Sequence, residues 1–181
     1  MMQGVLPHLA ETPVLETERL ILRAPLAADL APFATYYASP RSRFTSGPGD
    51  AAAAFRVFAM VCGHWVARGY GLFTITRRDN GQAIGFAGLL NPPSWPEGEL
   101  AWNLWSAEAE GQGYAFEAVT ALRGFAFGAV GWTTAVSYVA PENLRSAALA
   151  RRLGAVLDPA AATPDDAPCL VFRHPASGCA A

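Results

Sequence analysis

Hydrophobic and polar positions change period several times along this chain, and each change marks an element. Residues 17–23, Thr-Glu-Arg-Leu-Ile-Leu-Arg, alternate well enough for a first strand, and Pro25 ends it. Residues 1–16 before it read as a loose lead-in. Residues 27–38 read as a helix, with Asp29 in the first turn complementing the helix dipole and Pro32 near the start, where its missing N–H is tolerated. Ser39 and Pro40 close that helix, residues 41–49 form a loop, and a longer helix opens near Asp50 and ends at Arg68 and Gly69.

Residues 71–76 and 82–89 flank Asn80-Gly81, a strong turn signal, and predict an antiparallel hairpin. Pro92, Pro93 and Pro96 exclude regular structure from the segment 91–98. A strand over 100–105 follows, then a turn of mostly small residues, Glu110-Gly-Gln-Gly-Tyr-Ala115, then a helical run carrying Phe116, Val119, Leu122, Phe125 and Phe127. Residues 133–139 have the β-branched and aromatic content of a buried strand. Asn143 is placed to cap a helix over 144–153, and Gly154 stops it. Two short strands, 155–157 and 169–172, close the pattern around a loop over 158–168. The order predicts a mixed α/β fold in one domain over 1–181, without internal repeats and with loose ends at 1–16 and 175–181.

Composition narrows the function classes. The 181 residues are 52% hydrophobic and 15% charged, with a formal net charge of −2 and a pI of about 5.9. Such a chain has no global basic field for nucleic acid or an anionic membrane, so anion binding must be local. No apolar run reaches the roughly 18 residues of a membrane span, and the start lacks a basic region followed by an apolar core, so the expected address is cytoplasmic. Cys62, Cys169 and Cys179 lack a paired spacing and read as two core thiols and one tail thiol. His8, His64 and His174 are scattered, and His64 reads as a packed side chain, so no metal site is expected.

The stretch 99–127 carries the chemistry. A strand, a glycine turn and a helix make an anion site: glycines let backbone approach a ligand, and a helix start offers unpaired N–H groups and partial positive charge. Gly111 and Gly113 taken alone serve equally well as a tight turn. Phe116 breaks a dinucleotide fingerprint, and no Gly-Lys-Ser/Thr follows to make a P-loop.

Glu110-Gly-Gln-Gly-Tyr-Ala115 resembles the pyrophosphate loop of the GNAT superfamily of acyl-CoA-dependent N-acyltransferases, with Gly113 and Ala115 matching. The opening strand 17–23, the segment 98–102, and Asn143-Leu-Arg-Ser146 followed by Leu153-Gly154 are similar to that superfamily's RimJ/RimL-like branch, in the same order. The resemblance implies a mixed, mostly antiparallel sheet of seven strands, flanked by about four helices, with central strands splayed into a V-shaped cleft. It implies acetyl-CoA as cosubstrate. Backbone at Trp105 would bond the pantetheine arm and offer an oxyanion donor. Gly111, Gln112, Gly113, Tyr114 and Ala115 would hold the pyrophosphate, and Asn143 and Ser146 would face the cofactor or simply cap their helix. Glu110 stands where the family has Arg or Gln, and is expected to turn outward to water.

Acyl transfer from a thioester to an amine needs a neutral amine, close reacting atoms and donors for an oxyanion. Strand alternation places Glu99, Ala101, Asn103 and Trp105 on one face, which makes Glu99 the candidate base, or alternatively a residue that orients substrate. Ser137 is a second polar candidate on the neighbouring strand. The tyrosine that many family members place on the last helix is Ala150 here, leaving Tyr114 and Tyr138 as possible acids. Phe44, Trp65, Tyr70 and Trp95 are expected to border the acceptor side, favouring an apolar or peptide-like amine over a polycation. Trp95 could also pack as a lid or join a homodimer contact. The function so read is N-acetylation of a protein N-terminus or small amine. The alternative is a CoA-binding sensor or interaction module that lost the chemistry, for which Glu110 and Ala150 argue.

Overall fold

The computed structural model describes residues 9, 11–164 and 168–176. Its strands are β1 (Leu15–Glu16), β2 (Leu20–Arg23), β3 (Leu72–Arg77), β4 (Ala83–Leu90), β5 (Glu99–Leu104), β6 (Ala135–Val139), β7 (Val156–Leu157) and β8 (Leu170–His174). The helices are α1 (Leu30–Tyr37), α2 (Ala51–Arg68), α3 (Tyr114–Gly128) and α4 (Leu144–Arg152). One eight-stranded sheet runs β1-β2-β3-β4-β5-β6-β8-β7, one strand more than the sequence pattern predicts. The addition is β1, a two-residue edge strand paired to β2 within the expected lead-in, and Leu9 is buried as well. No described helix is long and apolar enough to cross a membrane.

Both faces of the central strands are covered. Phe73, Ile75, Leu89 and Leu100 meet Val119 and Leu122 of α3 on one side. On the other, Phe86 and Leu72 meet Phe33 of α1, Phe58 of α2 and Trp105. Ends are set locally where the sequence carries the signal. The Asp50 carboxylate accepts from Ala53 N–H at 2.7 Å to start α2, and Gly69 stops it in the left-handed conformation at φ 75°. Asp29 differs from its expected dipole role. It is buried, and accepts from both ends of the Arg23 guanidinium (2.7 and 2.9 Å), from Leu26 N–H and from the Thr74 hydroxyl.

The feature that positions the site is the join between β5 and β6. Every other pairing in the sheet is antiparallel; these two strands are parallel and share one bridge, Glu99 with Val136, before they part. The first N–H that the parting releases on β6, that of Tyr138, is taken by the Glu99 carboxylate at 3.3 Å.

Candidate active site

Where β5 and β6 diverge, a cleft opens with two lobes of about 290 and 400 Å³. Trp102, Asn103, Asn143 and Ser146 border both. Residues of one strand alternate the edge they present, so β5 has one set of backbone groups on β4 and another on the cleft. Trp105 N–H donates to Ile84 O at 2.8 Å, and Val136 N–H donates to Gly98 O at 3.0 Å. Odd positions of β5 therefore face β4 and even positions face β6. This corrects the expectation for Trp105: its N–H is engaged and its side chain is buried against Phe33 and Phe86. Backbone groups at the open edge belong to Trp102 and Leu104.

The larger lobe is built on the glycine turn. Gly111 (φ 72°) and Gly113 (φ 82°) adopt left-handed conformations, and Gly113 is the N-cap of α3. The helical ladder begins with Glu117 N–H on Gly113 O at 3.0 Å, which leaves the N–H groups of Tyr114, Ala115 and Phe116 ahead of it. The turn is fixed from the segment that joins β1 to β2. Thr17 Oγ1 and Arg19 N–H both donate to Glu117 Oε1 (2.5 and 2.8 Å), Arg19 Nε donates to its Oε2 (2.7 Å), and Arg19 Nη1 donates to Gln112 O (2.9 Å). Gln112 is thus held by its carbonyl and is exposed; unlike Gly111, Gly113, Tyr114 and Ala115, it does not line the lobe.

Basic side chains gather in this lobe, contributed by Arg41, Arg43, Arg145 and Arg152. Their field is local, as the net charge of the chain requires. Glu110 does not turn out to water. It accepts from Arg41 at 2.5 Å and from Arg145, so it is held between the 3-10 turn Pro40–Phe44 and α4. The Nε of Arg41 is buried and has no partner among the described residues. Part of this cluster had a sequence signal: Arg145, Leu149 and Arg152 recur at helical spacing and share the face that borders the lobe. Asn143 caps α4 through Ser146 N–H at 3.2 Å while bordering both lobes.

The smaller lobe centres on Glu99, which is buried at 8% exposure. Its Oε2 accepts from Trp95 Nε1 at 2.8 Å and its Oε1 from Tyr138 N–H. Neither partner is a cation, and burial outweighs both hydrogen bonds, pushing the carboxyl up to about 7. That places its proton exchange near neutrality, where general bases work best. Trp95 is held edge-on to Tyr138, with ring centres 6.1 Å apart. Glu97 anchors the same loop by pairing with Arg173 at 2.7 and 2.8 Å.

Ser137 borders this lobe, but its proton is committed to Leu100 O at 2.6 Å. His174 Nε2, 2.9 Å away, must then donate to the Ser137 oxygen, and the buried His174 Nδ1 has no partner among the described residues. Burial, with Arg123 nearby, lowers His174 to about 4, so the ring is neutral. This pair ties β5, β6 and β8 together at the base of the cleft, correcting the reading of Ser137 as a catalytic group. Phe44 and Trp95 line the lobe as expected, whereas Trp65 and Tyr70 do not. Trp65 is buried with its Nε1 on Leu72 O, and Tyr70 packs edge-on to Trp132.

Among the described residues no group of three His, Cys, Asp or Glu side chains could hold a metal ion. Cys62 is half-buried, and burial, reinforced by the Asp29 charge, raises its thiol to about 11, which makes it inert. His64 is buried and bridges Tyr70 O and Asn91 N–H. His8 and Cys179 lie outside the described residues.

A divergent parallel pair, a helix start with open N–H groups and a buried carboxylate in one cleft call for comparison with known proteins. A family profile described as acetyltransferase (GNAT) domain matches residues 19–156. The chain belongs to the GNAT acetyltransferases. An acetyltransferase from Agrobacterium tumefaciens C58 is 42% identical over 90% of this chain and 94% of its own, with a TM-score of 0.84. A protein from Bordetella pertussis described as of the GnaT family is 28% identical over 90% and 99%, with a TM-score of 0.71. The ribosomal-protein-S5-alanine acetyltransferase of Vibrio fischeri shares the GNAT fold at 16% identity, covering 92% and 98%, with a TM-score of 0.68. No curated protein matches the chain.

Proposed function

We propose that this GNAT protein transfers an acetyl group from acetyl-CoA to a primary amine, either a protein N-terminus or a small molecule, by direct attack. The observation that carries the reading is the position of Glu99. It is a buried carboxylate poised near neutrality in one lobe of a cleft whose other lobe is lined with arginines and a helix start. The donor set of the larger lobe suits the phosphates of CoA: N–H groups of Tyr114 to Phe116 and the guanidinium groups of Arg41, Arg43, Arg145 and Arg152. Gly111, Gly113 and Ala115 keep backbone accessible there, and Asn143 and Ser146 border the passage between lobes. The cosubstrate supplies a thioester carbonyl activated for attack.

Glu99 accepts a proton from the incoming ammonium, directly or through water, and releases a neutral amine. The amine nitrogen bonds to the carbonyl carbon, the carbon–sulfur bond breaks, and the second proton that the nitrogen sheds passes to the departing thiolate, through a tyrosine hydroxyl or water. Free N–H groups at Trp102 and Leu104 on the open edge of β5 are the candidate oxyanion donors. Of the two tyrosines, Tyr138 borders the Glu99 lobe and Tyr114 the phosphate lobe. The Tyr138 oxygen accepts from Glu97 N–H at 3.2 Å, which leaves its own proton available. Ala150 is fully buried against Val139 and Phe172, so the acid is sought on β6 and not on α4.

The motif order supports placing the protein in the RimJ/RimL-like branch. The second reading, a CoA-binding module without turnover, is favoured by Glu110 in the phosphate lobe and by Ala150. Thiol release from acetyl-CoA across a panel of amines and N-terminal peptides, beside calorimetry with CoA, separates them. Turnover supports the transferase. CoA binding without turnover supports the module, and no CoA binding refutes both.

A further inference from the structure

The Glu99 lobe also bears on which amine is used, an inference that rests on the acetyl-transfer reading. Among the described residues that line it, Glu99 is the sole charged side chain. The remaining surface is dominated by aromatic and aliphatic groups: Phe33 and Phe86 from the core, Val57 and Met60 from α2, Leu90 from β4 and Trp95 from the loop. Its volume, about 290 Å³, is at the small end of ligand pockets. The bond from Trp95 Nε1 to Glu99 Oε2 (2.8 Å) fixes the indole beside the carboxylate, so an apolar wall begins where the anion ends.

These constraints select on both charge and shape. A single ammonium finds one carboxylate and an aromatic face, both of which attract a cation. A polyamine would find no second carboxylate in the lobe for its additional charges, and an extended peptide would set backbone polar groups against the apolar side chains that dominate the lining. We infer that the acceptor is a small monoamine with an aromatic or aliphatic body, its ammonium on the Glu99 carboxylate and its body against Trp95 and the Val57–Met60 side of α2.

The test uses the full chain and a homologous series from n-propylamine to n-hexylamine, with 2-phenylethylamine, spermidine and a serine-initiated tetrapeptide. Binding to the CoA-saturated protein is read by calorimetry, and thiol release from acetyl-CoA is followed in parallel. Affinity and kcat/KM should rise about three- to fourfold per methylene, and 2-phenylethylamine should exceed spermidine by about 100-fold or more. Val57→Asp, a half-buried position on α2, should narrow that ratio at least tenfold. A flat series, a preference for spermidine or the peptide, or an unchanged ratio in Val57→Asp would overturn the inference. If no amine is acetylated but 2-phenylethylamine still binds far more tightly than spermidine, the transfer reading fails and the ligand preference stands. If no amine binds, the inference fails.

Discussion

Replacing Glu99 with glutamine keeps the shape of the side chain and removes its titration. In the folded protein the carboxyl holds its proton to about 7, against an ordinary value of 4.5, because burial outweighs the hydrogen bonds from Trp95 and Tyr138. That gap corresponds to roughly 3 kcal/mol. The sign follows from proton counts. Below pH 4.5 both folded and unfolded chains carry the proton, and Glu99 imposes no penalty. As pH rises from 4.5 to 7 the unfolded chain releases the proton first, so the native protein loses stability across that window, and above 7 the full penalty persists. Glutamine titrates nowhere, but its amide group meets one of the two donors that the carboxylate accepted, at a pH-independent cost of about 1–2 kcal/mol. Glu99→Gln should therefore be less stable than the native protein at pH 5 and more stable by about 1–2 kcal/mol at pH 8, where melting rises by roughly 4 °C. Urea titrations of both proteins from pH 5 to 8 measure this. In activity, kcat/KM of the native protein should rise to a plateau above an apparent pKa near 7, and the variant should lose about 100-fold or more. Parallel stability curves, or full activity of the variant across the series, would refute the assignment.

Three further outcomes follow from the site. Glu110→Gln frees Arg41 and Arg145 for phosphates, so calorimetry should show CoA binding about fivefold tighter at low salt and a vanishing difference near 0.5 M salt; weaker binding would mean that Glu110 orients the arginines. Gly113→Ala forces a left-handed φ of 82° on a residue with a Cβ that lies 3.3 Å from Arg19 Nη2. It should cost about 1–2 kcal/mol in urea denaturation and weaken CoA binding as well. Neutral His174, lowered to about 4, contributes stability that is fully present above pH 6.5 and lost as pH falls through 6.5 toward 4. His174→Phe should flatten that acid loss, and equal drops in the two proteins between pH 7 and 4.5 would exclude His174 as its source.

Elements whose signals are local were legible in the sequence. The caps of α2, Asp50 and Gly69, are short-range devices, and Asn80-Gly81 closes β3 and β4 with Gly81 at φ 72°. The two residues of β1 carry no such signal and become a strand by pairing with β2. Strand alternation put Glu99 on a cleft-facing position, but its donors come from a Pro-rich loop and from β6, neither readable from β5 alone. The family resemblance matched Trp105 to the pantetheine contact, but its N–H is on Ile84 O, because matching a strand end to a motif says nothing about which neighbour receives each backbone N–H. The arrangement of Glu110 depends on Arg41 and Arg145, which lie 69 and 35 residues away in sequence. Trp65 and Tyr70 stand at the end of the second helix, a region expected to border the acceptor side, but that end packs on the sheet and turns both side chains inward.

The clamp from Thr17 and Arg19 to Glu117 joins positions about 100 residues apart in sequence. Contacts of that separation close late when a chain folds, since the entropy of the intervening loop must be overcome first. Local turn propensity alone therefore does not hold the glycine turn in place until the segment joining β1 to β2 has docked on α3. Binding of a polyanion at that loop would consequently stabilise the whole native state and not a local segment, and its protection should appear in the slowest-exchanging amides of β2 and α3 together.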